Sequence, residues 1–331
     1  MNTLQEPFLN FDVNSSLSFE DQSTIFCSLV ALVKAEYSFD YALQEKTVTF
    51  LKSLKPEWNK QVASKLVTDL VPSSAGSPSG FIDSVLTLLL TPHSILRAAT
   101  LSLLRKTINF SSTEIRCRLV ESDLVSNVLA TIQPHTLSIS GNEEMLDNLV
   151  NIIAYSVDLA FHVGMLGITT AIGQYNHREI IFQKVVLPSS TLVRFLISNR
   201  YILKGELFDS LVFLLRIFIR ICPFHHPTLE FVLASPIAMA FSSCLSFTED
   251  CQLLNNTLIR INYLMPEWKK EGAEVVQSGK RMMQALFSEG FEDALEQMLL
   301  HIKNGYHGLS LVLYCRFFSQ RLGSNVYDTE D

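Results

Sequence analysis

Phe81-Ile-Asp-Ser-Val-Leu-Thr-Leu-Leu-Leu-Thr-Pro-His93 decides the fold of this chain, because its pattern returns at Leu124-Val-Ser-Asn-Val-Leu-Ala-Thr-Ile-Gln-Pro-His135. Laid over one another, the two stretches match in their apolar positions and in their Pro-His pairs, at an offset of 42 to 43 residues. From Gly80 to Ile108 the chain carries Leu86, Leu88 and Leu89, then a turn at Pro92, then Ala98, Ala99, Leu101, Leu104 and Ile108. That is the apolar spacing of two helices split by a proline. Ala98 and Ala99 are small enough to let helices approach closely.

The same kind of unit recurs further on. Val186-Leu-Pro-Ser-Ser-Thr-Leu-Val-Arg-Phe195 lies over Val232-Leu-Ala-Ser-Pro-Ile-Ala-Met-Ala-Phe241 at an offset of 46, each reading as a helix, a Pro/Ser break and a second helix. A weaker echo sets Thr47 to Trp58 against Thr257 to Trp268, both ending Pro-Glu-Trp. Periods of about 40 to 47 residues built from short amphipathic helices are the signature of armadillo and HEAT arrays. The expectation is an all-α, armadillo/HEAT-like right-handed α-solenoid of about six to seven irregular repeats, from about sixteen short helices. Residues 1–17 read as a flexible N-terminal segment, 18–322 as the solenoid and 323–331 as a flexible acidic tail.

Bulk composition agrees. With 13 Gly and 11 Pro in 331 residues there is too little turn material for a sandwich or barrel of many short strands. A chain 48% hydrophobic and 18% charged buries a large core. The net charge of −7 argues against wholesale nucleic-acid binding. Helix starts are marked by Ser18-x-x-Asp21, close to a capping box, and by Pro56 in a first turn; Pro72 to Ser79 is the clearest loop. The first twenty residues hold Glu6, Asp12 and Glu20 without Lys or Arg, so no signal peptide is expected. The longest apolar run, Leu211 to Cys222, is short and contains Arg216 and Arg220, so no membrane span is expected. Six scattered cysteines (Cys27, Cys117, Cys222, Cys244, Cys251, Cys315) fit reduced thiols in a cytoplasmic or nuclear protein.

Several stretches carry a resemblance: Val71-Pro-Ser-Ser-Ala-Gly-Ser-Pro-Ser-Gly-Phe81, Cys117-Arg-Leu-Val-Glu-Ser-Asp-Leu124, Tyr175-Asn-His-Arg-Glu179, Ile221-Cys-Pro-Phe-His225 and Gln277-Ser-Gly-Lys-Arg-Met-Met-Gln-Ala-Leu-Phe-Ser-Glu-Gly290. In these the chain resembles an uncharacterised, lineage-duplicated protist family of armadillo-like proteins. The resemblance implies the armadillo-like fold and no enzymatic activity, and it brings no functional residues with it.

Catalytic and metal chemistry find little support. His177-x-Glu179 places its two side chains on different helix faces, and no Pro-Cys-x-x-Cys accompanies it. His225 and His226 sit between Pro223 and Pro227, where adjacent side chains diverge. Asp158 and His162 share a face at i, i+4 but lack the further ligands zinc needs. No Gly-x-Ser-x-Gly occurs, and Gly279-Lys280-Arg281 lacks the upstream glycine of a phosphate-wrapping loop; it reads as a solvated helix start.

Polar stripes on apolar helices are the remaining signal. From Asn142 to Asp158, Glu144, Asn148, Asn151, Tyr155 and Asp158 recur at three- and four-residue steps, while Met145, Leu149, Ile152 and Ile153 face elsewhere. From Glu206 to Ile221 a narrow strip of Glu206, Asp209, Arg216 and Arg220 runs through an otherwise apolar helix. Gln252, Asn255, Asn256 and Tyr263 form a third stripe. Asn148, Asn151, Tyr155, Arg216, Arg220 and Asn256 are therefore the candidate contacts of a non-catalytic, monomeric scaffold that holds a peptide or protein partner along a concave groove, with no cofactor and no metal. Two alternatives stand beside it. One is an α-helical enzyme or accessory subunit with a site near His177 and Glu179; the other is RNA binding through the basic strip Arg97, Arg105, Lys106, Arg116 and Arg118.

Overall fold

A computed structural model describes residues 88–90, 94–110, 116, 120, 124–131, 138–165, 177–247, 268, 270–294 and 297. Among them all regular structure is helical and no strand occurs, so the chain is all-α as its period predicts. The readings at Ser18, Pro56, Pro72–Ser79 and the stripe from Gln252 to Tyr263 lie outside the described residues. The chain divides into two compact units, residues 1–188 and 189–331.

In the first unit α1 (Ser94–Phe110), α2 (Leu124–Thr131), α3 (Glu143–Met165) and the short α4 (His177–Ile181) are described. α1 packs on α3; Leu96, Ala99, Leu101, Leu104 and Ile108 of α1 are buried, as are Leu146, Leu149, Val150 and Ile153 along one face of α3. The small Ala98 and Ala99 are buried, in keeping with close approach. Two acids, Glu143 and Glu144, occupy the first turn of α3, where they complement the helix dipole.

Chain direction after α4 turns on Pro188. A π-helical turn, Phe182–Val186, leads straight into α5 (Leu187–Ser198), so the helical run continues through a proline that the sequence reads as a break. The Leu187 N–H bonds the carbonyl of Phe182, five residues back, and Leu187 itself is helical at φ −61°, ψ −50°. Pro188 would clash with the carbonyl of Lys184 in a regular α-helix; the wider turn lies across that carbonyl and absorbs the conflict. The run Arg178–Ser198 is the one described helix long and apolar enough to cross a membrane. Its exposed positions are Gln183, Leu187, Pro188, Thr191, Arg194 and Ser198, and half of the apolar window is buried in the packing.

In the second unit a 3₁₀ turn, Arg200–Ile202, precedes α6 (Gly205–Ile221), the central helix. A 3₁₀ turn Cys222–Phe224, α7 (His226–Ala234) and α8 (Ile237–Phe247) pack on it, and α9 (Ala273–Ser288) packs on that turn, α7 and α8. α6 buries Leu207, Leu211, Val212, Leu214, Leu215, Ile217, Phe218, Ile219 and Ile221 on nearly all sides. Ser235, extended at φ −103°, ψ 150° ahead of Pro236, ends α7, and α8 leaves at 63°. Gly279 lies in the middle of α9, so Gly279-Lys280-Arg281 is not a helix start. A Cβ at Gly279 would stand 2.3 Å from Cε3 of the fully buried Trp268, so only glycine admits that indole.

Candidate functional site

The polar stripe of α3 shares one face, as its spacing predicts, but part of that face points into the protein. Asn148 is 2% exposed and Asn151 7%. Asn148 Nδ2 donates to the Glu144 carbonyl at 2.8 Å, and Asn151 Nδ2 donates to the carbonyl and to Oδ1 of Asp147 at 2.9 and 3.0 Å. From α1, Arg105 Nη1 donates to Asp147 Oδ2 at 2.6 Å and to Asn148 Oδ1 at 3.4 Å. This network joins α1 to α3 and satisfies polar groups that would otherwise be costly to bury. Asn148 and Asn151 therefore do not line a solvated groove. Tyr155 and Asp158, further along the stripe, are half-buried.

On α6 the strip Glu206, Asp209, Arg216 and Arg220 coincides with the positions that are not fully buried, together with Gly205, Phe208 and Phe213. Arg216 stacks over the Phe213 ring at 5.0 Å, and the backbone carbonyl of Arg220 accepts the indole N–H of Trp268 at 3.2 Å. Asn256 lies outside the described residues.

Of the basic strip, Arg105 is committed to Asp147, and Arg116 Nη2 donates to the carbonyl of Asn109. Arg97 is half-buried, with its Nε shielded from solvent, and Lys106 is half-buried too; Arg118 lies outside the described residues. At the alternative enzyme site, Glu179 Oε1 accepts from Gln183 Nε2 at 2.8 Å on the exposed face, and the His177 side chain lies outside what is described. His225 and His226 diverge. The former is buried with Nδ1 3.0 Å from Thr228 Oγ1; the latter is exposed beside Glu230, which also takes Arg281 at 3.0 Å. Among the described residues no group of three or more His, Cys, Asp or Glu side chains is placed to hold a metal ion. Cys222 and Cys244 are buried free thiols; burial raises both, Cys244 to about 12, with the charge of Arg200 pulling it slightly back.

A cluster that sequence reasoning missed lies where the 3₁₀ turn after α5 meets α8. Tyr201, Ile202 and Phe247 are 61%, 61% and 62% exposed. The Tyr201 and Phe247 rings meet edge to face with centroids 5.5 Å apart. Beneath them Arg200, only 9% exposed, donates through Nη1 to the Ile197 carbonyl at 2.9 Å, through Nε to Ser243 Oγ at 3.1 Å, and through Nη2 to the Tyr201 hydroxyl. Its guanidinium also stacks over the Tyr201 ring at 4.1 Å. The only signal in the sequence is that α8 contains no charged residue at all.

No protein-family model matches the chain, and no curated protein is significantly similar to it.

Proposed function

We propose that the chain is a non-catalytic protein-interaction scaffold, built as an armadillo/HEAT-like array of about six to seven irregular helical repeats, that binds a peptide or protein partner on its helical surface. The observation that carries this reading is the spacing of the polar links between helices. Arg105 reaches residues 42 and 43 positions ahead, and Arg200 reaches Ser243 at a separation of 43. Trp268 bonds Arg220 at a separation of 48, and Arg281 meets Glu230 at 51. In an array each repeat touches only its neighbours, so such links cluster near one period; a globular bundle has no reason to repeat them. The buried thiols Cys222 and Cys244 support a reducing, cytoplasmic setting.

With Asn148 and Asn151 turned inward, Tyr155, Arg216 and Arg220 remain the proposed contacts on the polar stripes, with Asn256 beside them. Pairing of Arg105 with Asp147 removes charge from the strip that RNA binding needs. Affinity capture on the full chain, followed by cross-linking and mass spectrometry, tests the proposal. The expected result is a protein cross-linked to this chain whose recovery falls with Arg216→Ala while the melting temperature holds. Co-purifying RNA released steeply by salt would overturn it in favour of the basic strip.

A further inference from the structure

We infer that Tyr201 is a site of O-phosphorylation, its phosphate held by Arg200 at the joint between the 3₁₀ turn and α8. Arg200 is nearly buried, and among the described residues its guanidinium meets only neutral oxygens: the Ile197 carbonyl, Ser243 Oγ and the Tyr201 hydroxyl. Buried charges are ordinarily paired, and among these residues the cation has no counter-charge. Of its three acceptors, one can both acquire a charge and be reached by an enzyme. The Ile197 carbonyl is backbone, and Ser243 is half-buried on the body of helix α8. Tyr201 is 61% exposed on a three-residue turn, and Leu203 and Lys204 behind it are extended at φ −71° and −141°. A short turn can enter an enzyme cleft where a packed helix cannot.

A tyrosine kinase with ATP supplies the charge. The Tyr201 hydroxyl oxygen bonds the γ-phosphorus as the bond from that phosphorus to the β–γ bridging oxygen breaks; ADP leaves, and the phenolic proton passes to a base of the kinase. The product carries about −1.5 to −2 charge at pH 7 and three strong acceptor oxygens. They are attached to the oxygen that Arg200 Nη2 already reaches, with Ser243 Oγ 3.4 Å from it as a second donor. A neutral bond within the joint becomes a charge-assisted one, about twice as strong. Glu206, and Glu249 and Asp250 after Phe247 in the sequence, repel a dianion, so the direction in which its ionisation shifts decides which charge stands nearer. No partner is needed to hold the phosphate, and the site stands or falls apart from the scaffold reading.

A tyrosine kinase chosen because it modifies a synthetic peptide of residues 196–206 is applied with ATP to the folded full chain. The modified residue is mapped by mass spectrometry, and the product is titrated by ³¹P NMR beside the phosphorylated peptide. Expected is phosphate on Tyr201 of the folded chain, with its second ionisation about half a unit or more below that of the peptide, because the fixed guanidinium favours the dianion. Phosphorylation should also raise the melting temperature by about 2 °C, and Arg200→Gln should abolish the ionisation shift. The titration is read on the parent chain, so it decides the matter even where Arg200→Gln fails to fold. A kinase that modifies the peptide and leaves Tyr201 of the folded chain untouched overturns the site. So does a second ionisation equal to the peptide's or above it, which would set acids rather than Arg200 beside the phosphate.

Discussion

Arg105 and Arg200 each reach a helix 42 or 43 residues further along, and they end in opposite company. Arg105 finds a carboxylate, Asp147, buried between α1 and α3 and braced by Asn151. Arg200 finds a carbonyl, a serine and a phenol, and the ring it holds faces outward. A cation matched by an acid is spent inside the fold as a joint between helices. Matched only by neutral oxygens, the second fixes an exposed ring in place. The difference teaches that a polar stripe on an apolar helix can be internal structure, while a buried cation can brace an exposed ring.

A third link of similar span uses no charge, and the largest expected effect belongs to it. Trp268→Ala removes a fully buried indole and its bond to the Arg220 carbonyl, and should lower stability by about 4 kcal/mol in urea unfolding. Gly279→Ala, which drives a Cβ into that indole, should cost about 2 kcal/mol despite alanine's better helix propensity. If either leaves the midpoint unmoved, neutral packing is not what joins these helices.

Asp147→Ala separates the two arginines most directly. It leaves Arg105 with the longer bond to Asn148 and takes one of two acceptors from the Asn151 amide, and should cost about 2 kcal/mol, held to that by the partial exposure of Arg105. The counterpart Ser243→Ala takes one acceptor from Arg200 and should cost about 0.5–1 kcal/mol. Equal losses in chemical denaturation would erase the distinction.

Cys244 reports on the second region through pH. Burial pushes its thiol up to about 12 from an ordinary value near 9, so the folded state keeps a proton that the unfolded chain gives up. Its contribution is whole below pH 9 and declines as pH climbs toward 12, by about 1.4 kcal/mol per pH unit. Native chain at pH 8 should leave Cys222 and Cys244 unlabelled by a thiol reagent that modifies both in urea; rapid native labelling of either would contradict its burial.

Legibility varied by residue. The stripe Glu144–Asn148–Asn151–Tyr155 follows from helical spacing, yet its inward turn depends on Arg105, which comes from another helix. Pro188 and Ser235-Pro236 occupy matching units and read alike, but Leu187 stays helical before its proline while Ser235 goes extended before its own. The Tyr201–Phe247 patch left no trace in periodicity, since its members come from two elements and exposure is not written in spacing.

Apolar period and scarce Gly and Pro determined an all-helical chain, with the start of α3 and both ends of α6 close to their observed limits and α3 running on to Met165, because backbone hydrogen bonding and side-chain direction are local. Which face each helix buries, which arginine meets an acid and which proline bends the chain were decided only in three dimensions. Those outcomes depend on groups some forty residues away, and no local rule sees them.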